Sequence, residues 1–170
     1  MTTGLHYTVF ETDAGWMGLL ASPGGLRRVT LPQESAQAVR QQLGASLNFA
    51  TEAPHLFDKL VHRFKRYFKG EKVAFPDELD LVDVTYFQRK VWEATRSIPY
   101  GETRSYTWIA EQIKKPMAVR AVGQALGRNP LPVIVPCHRV LAKSGKLGGF
   151  TGGIELKRNL LNMEKIRVNP

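Results

Sequence analysis

The sequence predicts an α+β protein: a small N-terminal antiparallel sheet with helices, then a mostly helical C-terminal domain with a helix-turn-helix and a short active-site strand. Three observations carry this prediction. Short β-prone runs separated by turn signals fill the opening of the chain. Apolar residues then recur at helical spacing. After Thr85 the texture turns helical, and two short helices flank a proline-containing break. The boundary is expected near residue 84, with residues 1–84 as a supporting α/β domain and 85–170 as the functional one.

The elements follow in order. "LHYTVFET", "WMGLLAS" and "LRRVTL" are strand candidates separated by "DAG" and "PGG". "ESAQAVRQQLG" reads as a short helix closed by Gly44. "PHLFDKLVHRFKRYFKG" reads as a longer helix, with Leu56, Leu60, Phe64 and Phe68 on its inner stripe and Gly70 as its stop. "EKVAFPDELDLVDVT" lacks a helical period and is acid-rich, which predicts a connector. "YFQRKVWEATRSI" places Phe87, Val91, Trp92, Thr95 and Ile98 on one stripe that Pro99 ends. Ser105 is the expected N-cap of "YTWIAEQI", "KKP" breaks the chain, and "MAVRAVGQALGRN" forms the next helix. "PVIVP" reads as a buried extended run, "AKSGKLGGFTGG" as a glycine-rich loop, and "IELKRNLLNMEK" as the closing helix.

Composition narrows the function. At 170 residues and 43% hydrophobic content the chain can build a real core. No apolar run approaches the roughly 18 residues of a membrane span. The N-terminal residues lack the pattern of a signal peptide. A single cysteine excludes an internal disulfide and a thiolate zinc site, and fits a reducing, cytoplasmic setting. His6, His55 and His62 have no partners at ligand spacing, so no metal is expected. Residues 1–84 hold 9 basic against 10 acidic side chains, whereas residues 85–170 hold 15 against 5. The whole surplus therefore lies in the C-terminal half, the electrostatic footprint of a nucleic-acid partner.

In "MAVRAVGQALGRN", Val119, Val122 and Leu126 are expected to face the core. The rest of the helix is bare: Ala118, Ala121, Gly123, Gln124 and Ala125, with Arg120 as the one long charge near its start. Small side chains allow close approach to another surface. Base-reading helices present several polar side chains, so sequence-specific readout is expected to be weak here.

The lone cysteine, Cys137, adjoins His138. A free thiol of pKa about 8.5 is mostly protonated at neutral pH, and a histidine oriented by a carboxylate can take its proton. Adjacent residues on a strand point to opposite sides, so direct contact needs a kink or a bridging water. Adjacency alone leaves both an inert packed cysteine and a reactive one open.

"RNPLPVIVPCHRV" resembles the "GNP.P.IPCHRV" active-site signature of the O6-alkylguanine-DNA alkyltransferases. The likeness runs ungapped from Phe87 to Glu164 and takes in "IPYGETRSY", "AVRAVGQALGRNP" and "GKLGGFTGG...K..LL..E". It implies that Cys137 accepts the alkyl group from guanine O6, with His138 deprotonating it through a water and Glu164 holding the imidazole. It further implies that Tyr106 donates a hydrogen bond to the departing base and that Asn129 fixes the turn before the active-site strand. The backbone carbonyls of Cys137 and Val140 and the loop amides near Thr151 would read the base edge, with Phe150 and Thr151 in the loop that shapes the pocket wall. Arg120 would enter the stack as the nucleotide flips out, with Ala118, Ala121, Gln124 and Arg128 on the DNA-facing surface.

The implied activity is direct-reversal repair in a single, irreversible turnover, without cofactor. Its partner is double-stranded DNA containing O6-alkylguanine, with O4-alkylthymine as a second candidate substrate. No membrane and no obligate protein partner is implied, and a monomer is expected. The DNA places the protein in the cytoplasm at the nucleoid, or in the nucleus of a eukaryote. Phe150-Thr151 stands where the family commonly has Tyr-Ser, which leaves the range of larger adducts open. The N-terminal cysteines that give some members a zinc or a disulfide are absent. A non-repairing alkyltransferase-like lesion binder, a Cys-His-Glu thiol hydrolase and a plain transcriptional regulator are the rival readings; Cys137 speaks against the first, and the helix-turn-helix beside a basic half against the second. The Ala-rich helix and the PCHRV core speak against the third.

Overall fold

In the computed structural model, which describes residues 4–168, the opening β-prone runs form three antiparallel strands: β1 (Leu5–Thr12), β2 (Gly15–Ser22) and β3 (Gly25–Val29). Thr12 closes the first turn, its hydroxyl donating to the Gly15 carbonyl at 2.9 Å and accepting from the Ala14 N–H at 3.1 Å. A short fourth strand, β4 (Ala50–Glu52), adds parallel to β1, giving the order β3-β2-β1-β4. The chain divides into two compact units, Met1–Val82 and Asp83–Pro170.

Helices cover both faces of this sheet. Helix α1 (Ala36–Leu43) starts at Ser35, whose hydroxyl accepts from the Ala38 N–H at 3.0 Å, and stops at Gly44, φ 57°. Val39 and Leu43 of α1 pack with Leu5 and Leu20 on one face. Gly18 permits this approach, because a Cβ there would lie 2.5 Å from Val39. On the other face Phe10 meets Phe64 of α2 (Asp58–Tyr67), ring centroids 5.9 Å apart. Burial on both faces explains the unbroken apolar run Met17–Leu20 in β2.

Two expectations for this unit change. Leu56 is 57% exposed, and Phe57 takes its place in the core with Leu60, Phe64 and Phe68. The cause is local: Pro54 opens a 3-10 turn over Pro54–Phe57, and its tighter winding shifts the stripe by one residue. Residues 71–82 are extended but not a free connector. Val73 is buried, Phe75 stacks on Phe64 and Tyr67, and Asp80 accepts from Arg27 Nε at 2.7 Å and from the Ser22 hydroxyl.

The second unit begins with α3 (Tyr86–Arg96), set by a capping box in which Thr85 and Gln88 each accept the other's backbone N–H at 3.1 Å. Val91, Trp92, Thr95 and Ile98 are buried and Phe87 half-buried, as the stripe predicts. Ser105 caps α4 (Tyr106–Gln112) through the Trp108 N–H at 3.0 Å. The chain turns over residues 113–118 into α5 (Val119–Gly127), completing the helix-turn-helix. Strands β5 (Arg104–Ser105) and β6 (Val140–Leu141) form a parallel pair, and α6 (Ile154–Met163) closes the unit.

Ala125 is buried rather than part of the bare surface, because Trp92 packs under α5 and donates its indole N–H to the Ala125 carbonyl at 2.9 Å. Val119 is half-buried and borders a cavity instead of the core. "PVIVP" is buried but folded into a turn, with Pro132 bridging Val135 and Val133 at φ 74°. A β-branched residue rarely adopts that conformation. Here the Val135 N–H bond to the Leu131 carbonyl, 2.8 Å, and the Asn129 side chain impose it.

Candidate active site

The turn that presents Cys137 is organised by Asn129. Its Oδ1 accepts the Leu131 N–H at 2.9 Å, while its Nδ2 donates to the Val135 carbonyl at 2.8 Å and to Cys137 Sγ at 3.3 Å. One side chain thus folds the loop and touches the sulfur. Cys137–Arg139 form a single 3-10 turn, and the short strand β6 starts only at Val140. The kink that a Cys-His pair requires is this turn.

The turn directs His138 inward. Its Nε2 meets Glu164 Oε2 at 2.5 Å, both side chains fully buried. Glu164 caps the C-terminus of α6 and is held at its other oxygen by Arg139 Nε at 2.8 Å and the Gly101 N–H at 3.2 Å. Arg139 also donates to the Ile98 carbonyl at 2.8 Å, and Tyr100 covers its guanidinium, 5.7 Å from the ring centroid. The carboxylate therefore cannot turn away from the imidazole.

Burial governs the ionisation of each group. It pushes the Cys137 thiol up, against the opposing pull of the Asn129 hydrogen bond and the Lys157 charge. It pushes His138 down, against the carboxylate of Glu164. Thiol and imidazole are both neutral at rest, so His138 is available as a base. Tyr106 is pushed up by burial and then by the neighbouring cysteine, and stays a hydrogen-bond donor at neutral pH.

Cys137 opens into a cavity of about 570 Å³ lined by Tyr106, Val119, Gly123, Leu126 and Gly127 on one side and Gly149, Phe150 and Thr151 on the other. Helix α5 forms one wall and the glycine-rich loop the other. Gly148, φ 68°, lets the loop close on Tyr106, since a Cβ there would sit 2.9 Å from its hydroxyl. Thr151 ties the loop to α5, its hydroxyl donating to the Gly127 carbonyl at 3.0 Å.

The structure therefore gathers Cys137, His138, Glu164, Asn129, Tyr106, Phe150 and Thr151 at one place. Val140 stands apart: it is fully buried, does not line the cavity, and its carbonyl accepts Lys157 Nζ at 2.7 Å. The Cys137 carbonyl accepts the Val140 N–H that closes the 3-10 turn. Arg120, Gln124 and Arg128 are exposed on and just after α5, with Ala118 and Ala121 half-buried beside them.

Sequence reading missed two side chains. Lys157 is fully buried and donates to the Val140 and Gly149 carbonyls at 2.7 and 3.2 Å, joining the cysteine turn to the loop. Its pKa falls to about 8 through desolvation, and its ammonium lies 5.8 Å from the Tyr106 ring centroid. Arg139 is the other. The signal for Lys157 was present: Lys157, Leu160, Leu161 and Glu164 sit at i, i+3, i+4, i+7, so the charged ends of an apolar stripe face inward. Among the described residues there is no cluster of three or more potential metal ligands, and no helix is long and apolar enough to cross a membrane.

Fold and site define a class: helix-turn-helix proteins that hold one buried cysteine, in a Cys-His-Glu group, at a cavity walled by the second helix. Comparison with known proteins makes the class specific. Residues 86–166 match the family model described as "6-O-methylguanine DNA methyltransferase, DNA binding domain". The methylated-DNA–protein-cysteine methyltransferase of Mycobacterium tuberculosis is 43% identical over 164 residues, covering 96% of this chain and 94% of the relative. The constitutive enzyme of Bacillus subtilis is 40% identical over 162 residues, covering 95% and 96%. The crystal structure of Mycobacterium tuberculosis OGT in complex with DNA superposes with a TM-score of 0.79 at 45% identity, covering 94% of this chain and 92% of that one. The chain belongs to the methylated-DNA–protein-cysteine methyltransferase family.

Proposed function

We propose that this protein repairs O6-alkylguanine in double-stranded DNA by transferring the alkyl group irreversibly to Cys137, once per molecule and without a cofactor. The single observation that carries the reading is a pair of contacts, Asn129–Cys137 and the buried His138–Glu164, in the turn whose Cys137 lines a cavity walled by α5. It is a nucleophile with a base, an orienting carboxylate and room for a base-sized substrate. All of its residues come from one unit of one chain, which supports action as a monomer.

In the transfer, the Sγ–carbon bond forms as the carbon–O6 bond breaks. The thiol proton passes to His138; Nε2 is engaged by Glu164, so acceptance falls to Nδ1, by way of a water. Glu164 stabilises the resulting imidazolium. Negative charge builds on the departing guanine, where the Tyr106 hydroxyl donates a hydrogen bond and a proton restores the neutral base. One proton leaves the thiol and one is taken up by guanine, so the step is neutral overall. The product thioether has no neighbouring group able to cleave it, which makes the reaction stoichiometric.

The target must leave the stack to reach a sulfur at the floor of a cavity. Arg120 stands exposed in the first turn of α5, flanked by Ala118 and Ala121, and takes the place of the extruded nucleotide from the minor groove. Alkylated guanine pairs poorly, which lowers the cost of extrusion. Gln124 and Arg128 complete the DNA-facing surface, and Phe150 and Thr151 form the far wall of the base pocket.

The test is restoration of guanine. A duplex with one O6-methylguanine is incubated with excess protein, digested and analysed for nucleosides. Conversion of the lesion to guanine is expected, while Cys137→Ala binds the duplex and leaves the lesion intact. Persistence of the lesion with the wild-type protein refutes the reading.

A further inference from the structure

A second hollow of about 250 Å³ lies between the first turn of α3 and the turn that leaves α4. It is lined by Tyr86, Phe87 and Lys90 from α3 and by residues 112–115. Three lysines are among its lining residues. Tyr86 is 72% exposed, and Lys90 Nζ lies 5.4 Å from its ring centroid while also meeting Glu93 at 3.5 Å.

The backbone that presents these lysines is fixed. The Lys115 N–H donates to the Ala110 carbonyl at 2.9 Å and the Lys114 N–H to Glu111 at 3.0 Å, the paired bonds of a Schellman motif. Lys114 occupies its left-handed position, φ 60°, where glycine is the favoured residue. A long cation has been placed where the backbone disfavours it. Its backbone is held in a rigid turn, so no backbone ordering opposes an anion.

Along the chain, the lining of the hollow ends at Lys115, with four residues between it and Arg120. Lys115 and Arg120 lie five positions apart, and between them Met117 is 95% exposed. Five residues reach at most about 17 Å, about five base-pair steps of 3.4 Å. A duplex with Arg120 in its groove therefore has phosphates within the span that separates Lys115 from Arg120. Resting on the reading of this protein as a DNA alkyltransferase, we propose that Tyr86, Lys90, Lys114 and Lys115 form a second DNA-backbone site that binds a phosphodiester and its deoxyribose beyond the recognition helix. The lysines take the phosphate; Tyr86, with Phe87 beneath it, packs on the sugar. The site reads no sequence and anchors the duplex against the torque of base extrusion.

The experiment measures duplex affinity against salt for Lys114→Gly/Lys115→Gln. Glycine relieves the left-handed backbone, so the variant is expected to melt no lower than wild type. Binding of a fluorescent duplex with one O6-methylguanine is followed from about 50 to 200 mM salt. Two lost phosphate contacts make the slope of log affinity against log salt shallower by about 2. Lys59→Gln/Lys65→Gln, two exposed lysines on α2, should leave the slope unchanged. An unchanged slope in the first variant, or an equal change in both, overturns the proposal. Lower melting with an unchanged slope also overturns it and assigns the lysines to the C-terminal end of α4. Wild-type protein run alongside must carry the methyl group on Cys137; if it does not, the alkyltransferase reading fails, whatever the slopes.

Discussion

Asn129→Ala separates the two tasks that one side chain performs. Its Oδ1 is the acceptor of the Leu131 N–H, on a residue with no solvent exposure, and the substitution leaves that donor buried and unpaired. The Val135 carbonyl keeps the Cys137 N–H at 2.7 Å, so only one group is orphaned. The cost is about 2 kcal/mol, or a melting temperature lower by about 4–8 °C for a chain of this length. The second task is electrostatic: Nδ2 donates to Sγ at 3.3 Å and opposes the upward push of burial on the thiol. Without it the thiol pKa rises further and thiolate is scarcer at every pH below it. Asn129→Asp keeps an acceptor but sets a carboxylate beside the sulfur, and should raise the pKa more. The assay is alkylation of Cys137 by iodoacetamide across pH, in folded protein well below each melting transition. The expected order of thiol pKa is wild type, then Asn129→Ala, then Asn129→Asp. Coincident pH profiles refute the role of Asn129 at the sulfur, and an unchanged melting temperature in the alanine variant refutes its role in the turn.

Other consequences follow from the same contacts. Glu164→Gln leaves the buried Arg139 guanidinium without its counter-ion and should cost about 3–5 kcal/mol in urea unfolding, with slower methyl transfer; stability within about 0.5 kcal/mol of wild type would contradict the described network. Lys157, its pKa lowered to about 8 in the fold, contributes stability that is fully present above its unfolded value of 10.5 and is lost as pH falls through about 8. Lys157→Met removes that contribution. The unfolding free energy of wild type relative to the variant should therefore climb between pH 8 and 10.5, and a flat difference would show that the lysine is not desolvated. Gly148→Ala puts a methyl group 2.9 Å from the Tyr106 hydroxyl at a positive φ. Single-turnover transfer should slow, and a wild-type rate would exclude a role for the Tyr106–loop contact.

Much of the fold was legible because its signals are local. Turn residues separated the strands, Ser105 announced a helix start, and the stripe from Phe87 to Ile98 faces inward as its period requires. Features that depend on distant partners were not legible. Strand β4 exists only by pairing with β1, and Leu56 lost its core position to a 3-10 turn whose winding its own spacing does not reveal. Ala125 is small for the sake of Trp92, a contact 33 residues away. In the site, Cys137 and His138 could be singled out by adjacency, but their kinked turn is held by Asn129. Their carboxylate lies 26 residues beyond His138, reached only because α6 folds back. Lys157 and Arg139 were overlooked because a buried cation looks like surface charge in a linear reading.

The central claim is that Cys137 is a single-use acceptor. Its most direct test is a duplex carrying O6-trideuteromethylguanine, incubated in several-fold excess over protein, with intact mass and peptide mapping followed over time. One trideuteromethyl group per chain, on the peptide containing Cys137, with repair stopping at one lesion per molecule, is the predicted result. A label on any other residue, no label at all, or repair continuing past one lesion per molecule would contradict the account.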